Sequence, residues 1–147
     1  MISLALKIDA KDARIIYVFK VLKSHGISSV REPTIHKIFY YLVKNKLSVK
    51  FDFYEERKFS YELKERLDKL TEKGYLKRIY LVEQLGGIYV PMYLITDKGL
   101  SFLEKKGRIA KRDAKIIEKV LGVIIEKVKS KKGKASGDRL KYQGWSR

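Results

Sequence analysis

The stretch FSYELKERLDKLTEKGYLKRIYLVEQLGGIYVPMYLI, residues 59–95, decides the fold. Ser60 stands where a helix N-cap is wanted, because its side-chain oxygen can accept from an unpaired first-turn amide. Leu63, Leu67 and Leu70 follow at i, i+4 and i+7, which makes one apolar face of a helix over 60–73. Gly74 comes next, the residue that most readily takes the left-handed conformation ending a helix. Two β-rich runs, 76–82 and 88–95, flank Gly86-Gly87. Paired glycines supply the positive φ of a tight hairpin turn. The predicted order is helix, glycine cap, strand, turn, strand.

Upstream, Asp9 or Asp12 can cap a first helix running to about Lys23, with Ile15, Val18, Phe19 and Leu22 inward and Arg14, Tyr17 and Lys20 outward. His25-Gly26 ends it. Pro33 suits the first turn of a second helix, where its missing N–H costs nothing. Ile35, Ile38, Phe39 and Leu42 point inward there, and Lys37, Tyr40 and Lys44 share the opposite face. More than ten residues then separate this helix from the third, where a tight helix-turn-helix needs about 3–4. The segment LSVKFDFY alternates, so 48–53 reads as a small extra strand pairing with the hairpin, followed by a loop at 55–58.

Downstream, Thr96 opens a fourth helix, with Ile95 and Leu100 placed as a hydrophobic staple around the cap and Gly107 as the stop. A final helix is expected over 109–129. Its apolar residues Ala110, Ala114, Ile117, Leu121, Ile124 and Val128 step by four and three, a heptad seam. That seam must pack on the chain's own first helix or on a second copy. A homodimer through Ala114, Ile117, Leu121, Ile124 and Val128 is the expectation. Residues 130–147 form a basic, Gly/Ser-containing tail whose composition cannot build a core.

The phrasing LKERLDKLTEKGYLKR followed by YLITDKGLSFLEKKG resembles archaeal and bacterial winged-helix transcription regulators, nearest to the MarR-like and PadR-like groups. The resemblance covers about residues 10–107. It implies an α+β, mostly α fold: a winged helix-turn-helix with a small antiparallel wing sheet, here followed by the long C-terminal helix and the basic tail. The implied organisation is a winged-helix domain over 1–107, a dimerisation helix over 108–129 and the tail over 130–147. It further implies duplex DNA as partner, a homodimer, and transcription regulation.

Charge points the same way. The formal net charge is +17 in 147 residues, and residues 105–147 alone hold 15 basic against 4 acidic side chains. Such a field attracts nucleic acid or an anionic surface. Charged residues reach 35%, which also suits a thermophile. There is no cysteine, so thiolate metal sites and disulfides are excluded. His25 and His36 are too few for a histidine-rich metal site. No apolar run approaches the ~20 residues of a membrane span, and a cytoplasmic protein without cofactor is expected.

Candidate nucleic-acid contacts follow from where these elements place cations. Arg57, Lys58, Ser60, Tyr61 and Lys64 gather at the N-terminal end of the third helix, where helix amides suit phosphates. Its later residues Glu65, Asp68 and Glu72 make the far end acidic. Lys37, Tyr40 and Lys44 offer a basic face interrupted by tyrosine, and Lys77 and Arg78 begin the hairpin. The hairpin tip, 83–88, carries no cation. Arg108, Lys111, Arg112, Lys131, Lys132 and Lys134 supply phosphate neutralisation, which gives affinity without sequence information. Lys141, Tyr142 and Trp145 mix cations with rings that can stack on unpaired bases. An RNA-binding or ribonucleoprotein component is therefore an alternative to duplex DNA binding. A protein-interaction module docking through Leu85, Ile88 and the last helix is another. An enzyme reading rests on Asp52, Glu56 and Lys58, which loosely echo the Asp…Glu-x-Lys set of metal-dependent nucleases. Those acids are four positions apart in one stretch instead of arriving from adjacent strands, so a non-enzyme is expected.

Overall fold

The computed structural model of the chain describes residues 8–82, 89–105 and 109–135. Its elements run α1 (Ala10–Ser24), β1 (Val30–Arg31), α2 (Glu32–Lys44), α3 (Tyr61–Glu72), β2 (Leu76–Val82), β3 (Tyr89–Ile95), α4 (Asp97–Lys105) and α5 (Lys111–Ala135). It is a mostly helical α+β arrangement with one three-stranded antiparallel sheet in the order β1-β3-β2.

The quoted stretch folds as its pattern requires. Ser60 Oγ accepts from the Leu63 amide at 3.1 Å and opens α3. Leu63, Leu67 and Leu70 are completely buried, each contributing roughly 1.5–3 kcal/mol through removal from water. Gly74, at φ 86°, turns the chain into β2. The two strands then pair residue for residue, from Leu76 against Ile95 to Val82 against Tyr89. The Gly86-Gly87 turn lies outside the described residues.

α1 is capped by Asp9, which accepts from the Asp12 amide at 2.9 Å while Asp12 reaches back to the Asp9 amide at 3.2 Å. His25 and Gly26, the latter at φ 88°, end it. α4 starts on Thr96, whose Oγ1 accepts from the Gly99 amide at 3.1 Å and donates to carbonyls of the segment that follows α3.

Three expectations about the fold are corrected. The third strand is Val30–Arg31, paired with Met92–Tyr93, and not 48–53. The alternation in LSVKFDFY reflects a loop that buries Leu47 and Phe51 and half-buries Val49 and Phe53 without joining a ladder. Phe51 packs edge-on against Phe39, ring centroids 5.4 Å apart. Arg14 points inward instead of outward. Its Nε donates to Asp113 at 2.7 Å, and that buried carboxylate also accepts from the Ser48 amide at 3.1 Å. Burial works against charge on Asp113, but the bonds from Ser48 and Arg14 outweigh it and hold the carboxyl below its usual range. α5 runs on to Ala135, past the expected end at Lys129, so the start of 130–147 is helical.

The heptad seam divides between the core and the surface. Ile117 and Leu121 are fully buried, with Val120 and Ile125 beside them, in the same core as Ile15, Phe39 and Leu67. Ala114, Ile124 and Val128 are half-buried. Val123, at 50% exposed, and the half-buried Ile124 and Val128 thus lie on the outer part of the helix, while the inner part of the seam, Ile117 and Leu121, belongs to the chain's own core. The reason is physical: α1 and α2 present an uncovered apolar surface within reach of α5, and intramolecular packing meets no association cost.

Candidate nucleic-acid interface

The N-terminal turns of α2 and α3 and the start of β3 converge on one open cleft of about 750 Å³. α2 brings Lys37 and His36 to it, the 54–59 turn brings Tyr54, Arg57, Lys58 and Phe59, α3 brings Tyr61, and β3 brings Tyr89 and Pro91. Side-chain alternation puts Tyr89, Pro91 and Tyr93 on one sheet face. The register sets Val82, Tyr80 and Arg78 across from them.

The turn is tight. The Tyr54 amide donates to the Phe59 carbonyl at 2.8 Å, and the Arg57 amide to the Tyr54 carbonyl at 3.1 Å. Lys58 sits at φ 50°, a left-handed conformation uncommon for a residue with a side chain. Its ammonium lies over the Tyr40 ring, 5.4 Å from the centroid. The floor is aromatic: His36 stacks on Phe59 at 4.4 Å and 22°, and Phe59 meets Tyr61 edge-on at 4.8 Å. Tyr54 packs edge-on against Tyr61 at 5.8 Å.

Beneath the floor runs a buried polar chain. The Ser60 amide donates to His36 Nδ1 at 3.2 Å. His36 Nε2 then carries the ring proton and donates to Glu32 Oε2 at 3.2 Å. The Tyr93 hydroxyl donates to Glu32 Oε1 at 3.4 Å and accepts from Arg78 Nε at 3.1 Å. The His36 bond holds the Glu32 carboxyl below its usual range despite burial. Burial, reinforced by the Glu32 charge, pushes the Tyr93 hydroxyl up to about 12.

The sequence-predicted contacts divide. Lys37, Arg57, Lys58 and Tyr61 meet at the cleft. Lys37 and Arg57 are exposed and make no ion pair among the described residues. Ser60 is corrected: it is completely buried, its Oγ occupied by the cap, so it cannot touch a ligand. Arg78 is half-buried and paired with Asp68 of α3, its guanidinium over the Tyr93 ring. Lys64 lies 4.0 Å from the same Asp68. Lys77 is exposed. Tyr40 is half-buried and donates to Glu55 at 2.8 Å, which raises its own pKa, and Lys44 pairs with Glu55 at 3.8 Å. Lys111 and Arg112 are exposed near the far end of α2, where Arg112 donates to the Lys46 carbonyl at 3.5 Å. That end is about 20 Å from the cleft along a helix of this length. Lys131, Lys132 and Lys134 fall on the last turns of α5. Arg108, the hairpin tip 83–88 and the segment 136–147 lie outside the described residues.

Tyr54, Phe59 and Tyr89 were missed as cleft residues, and His36 was read only as one of two histidines. The signal available was ring density: Tyr54, Phe59 and Tyr61 fall within eight positions. Asp52 and Glu56 are both exposed, in a loop and a turn. Among the described residues no group of three His, Cys, Asp or Glu is placed to hold a metal, and no helix is long and apolar enough to cross a membrane. Compared with protein-family models, curated proteins and solved structures, the chain has no match in any of the three.

Proposed function

We propose that the chain is a winged helix that binds nucleic acid, duplex DNA before RNA, and acts as a transcription regulator. The observation that carries this reading is the juxtaposition of the α3 N-terminus with the start of β3 around one cleft rimmed by Lys37, Arg57 and Lys58. The element order helix, strand, helix, helix, strand, strand, with β1 set between α1 and α2, supports the winged-helix reading. In such a fold α3 is the helix offered to the major groove and the hairpin is the wing. The acidic far end of α3 is engaged by Arg78 and Lys64 through Asp68. Docking is accordingly by the N-terminal turn, with Tyr61 and Lys64 toward the groove and Lys37, Arg57 and Lys58 on phosphates. Lys77, Lys111, Arg112 and the basic C-terminal residues Lys131, Lys132 and Lys134 add phosphate neutralisation. The regulator is proposed to act as a homodimer paired through the last helix, whose outer residues Val123, Ile124 and Val128 are exposed or half-buried.

The test is fluorescence anisotropy of a labelled mixed-sequence duplex over a range of salt, challenged with unlabelled structured RNA. The duplex is expected to stay bound against excess RNA. Replacing Arg57 and Lys58 together by Gln should lower the slope of log affinity against log salt by about 2, since each phosphate contact contributes about 1. Ready displacement by RNA would move the reading to a ribonucleoprotein component. No binding to either would overturn it.

A further inference from the structure

Resting on that reading, we propose that the cleft receives an unpaired nucleobase, so that the protein favours nucleic acid with an extruded or single-stranded nucleotide over fully paired duplex.

The rings are the first argument. Tyr54, Tyr61 and Tyr89 are 58%, 60% and 65% exposed, although each carries a large apolar ring. They come from three different elements and stand around one opening. A paired duplex can meet the cationic rim but cannot lay a base on these rings, because the faces of its bases are already stacked on one another. An unpaired base offers two open faces, and stacking on protein rings is a sequence-tolerant way to hold it. The cleft volume, about 750 Å³, lies within the roughly 300–1,000 Å³ of sites that enclose a small ligand.

Charge is the second. Six charged side chains line the cleft besides the rings: Glu32, Glu55 and Glu56 against Lys37, Arg57 and Lys58. Two of the carboxylates are occupied. Glu32 accepts from His36 and Tyr93, and Glu55 accepts from Tyr40 and pairs with Lys44. Glu32 keeps its charge but is buried beneath the floor, and Lys44 offsets Glu55 from outside the cleft, so at the exposed rim Lys37, Arg57 and Lys58 outnumber the one uncompensated carboxylate, Glu56. An apolar, ring-lined interior under a cationic rim complements a nucleotide, whose base is flat and whose phosphate is anionic. An apolar peptide would have no use for the rim.

The test uses the full chain and four labelled oligonucleotides of one sequence: a paired DNA duplex, the same duplex with one extra unpaired 2-aminopurine, and single-stranded DNA and RNA. The bulged duplex should bind about tenfold more tightly than the paired one, and the 2-aminopurine emission should be quenched on binding. Tyr54→Ala and Tyr89→Ala should each remove most of the preference for the bulged duplex and restore emission. Both rings are largely exposed, so their loss leaves the core packed, and matching unfolding midpoints will verify that. Tyr54→Phe should retain the preference. The two single strands report whether the cleft favours DNA or RNA. Equal affinity for paired and bulged duplexes, or a preference that survives in both alanine variants, overturns this inference and leaves the duplex-binding proposal standing. No binding to any of the four overturns both.

Discussion

Ser60 and His36 are joined by a hydrogen bond that fixes one nitrogen of the histidine ring: the Ser60 amide donates to His36 Nδ1 at 3.2 Å. Both residues are buried, and the bond ties the cap of α3 to the second turn of α2. His36→Ala would strand two buried polar atoms, the Ser60 amide nitrogen and Glu32 Oε2. The expected cost is about 2–4 kcal/mol, which for a chain of this size lowers Tm by about 5–15 °C. His36→Gln can replace one bond and not both, so its loss should be intermediate. Denaturant unfolding of the three proteins checks this. A loss under 1 kcal/mol in the alanine variant would show that the chain of bonds contributes little.

Acid should unfold the protein through the same kind of group. Glu32 and Asp113 both titrate below their ordinary values of 4.5 and 3.8. A depressed native pKa adds stability that is present above the unfolded value and disappears as pH falls through the native one. Urea midpoints should therefore hold from neutrality to about pH 5 and then drop. Asp113→Ala should cost about 3–5 kcal/mol at neutral pH, because it leaves Arg14 buried without its partner. It should also lose less than the parent on acidification. An identical acid limb in both proteins would remove Asp113 from this account.

Alkali acts with the opposite sign. Tyr17 and Tyr93 both titrate at about 12. Burial raises each, helped at Tyr17 by the bond it donates to Glu118 at 2.6 Å and at Tyr93 by the Glu32 charge. A raised native pKa gives stability that is complete below the unfolded value near 10 and is lost as pH climbs through 12. Tyrosinate absorbance should show a late step that includes these two of the ten tyrosines, and stability should fall between pH 10 and 12. Tyr17→Phe should shrink that late step by one tyrosine. A titration complete before pH 11 would contradict the assignment.

Two helical glycines should respond in opposite directions to alanine. A Cβ on Gly99 would come within 2.5 Å of the Tyr75 carbonyl oxygen and 2.8 Å of Ile95 Cγ1. The backbone oxygen cannot move aside cheaply, so Gly99→Ala should cost about 1–3 kcal/mol. Gly122, inside α5, would meet nothing within 4 Å. Gly122→Ala should stabilise by about 1 kcal/mol through helix propensity alone. Thermal unfolding separates the two, and a destabilised Gly122→Ala would mean that something packs closely on that turn of α5.

Much of the fold was legible because it is local. The Ser60 cap, the three leucines of α3, the positive φ of Gly74 and the paired strands each depend on residues within a few positions of one another. The aromatic floor of the cleft was not legible, since Tyr54, Tyr61 and Tyr89 are brought together by three elements and no period in the sequence links them. Arg14 was read outward because helical spacing alone put it there. Its partner Asp113 is 99 positions away.

The sequence by itself determined the helices, the hairpin and the cationic character of the chain, through capping, period and composition. Only the tertiary structure decided that Val30–Arg31 is the third strand, because a two-residue strand exists by virtue of the Met92–Tyr93 ladder it joins and carries no period of its own. It likewise decided that Ile117 and Leu121 close the protein's own core. A heptad seam states that a helix has an apolar face. What covers that face depends on which apolar surface lies nearest once the rest of the chain has folded.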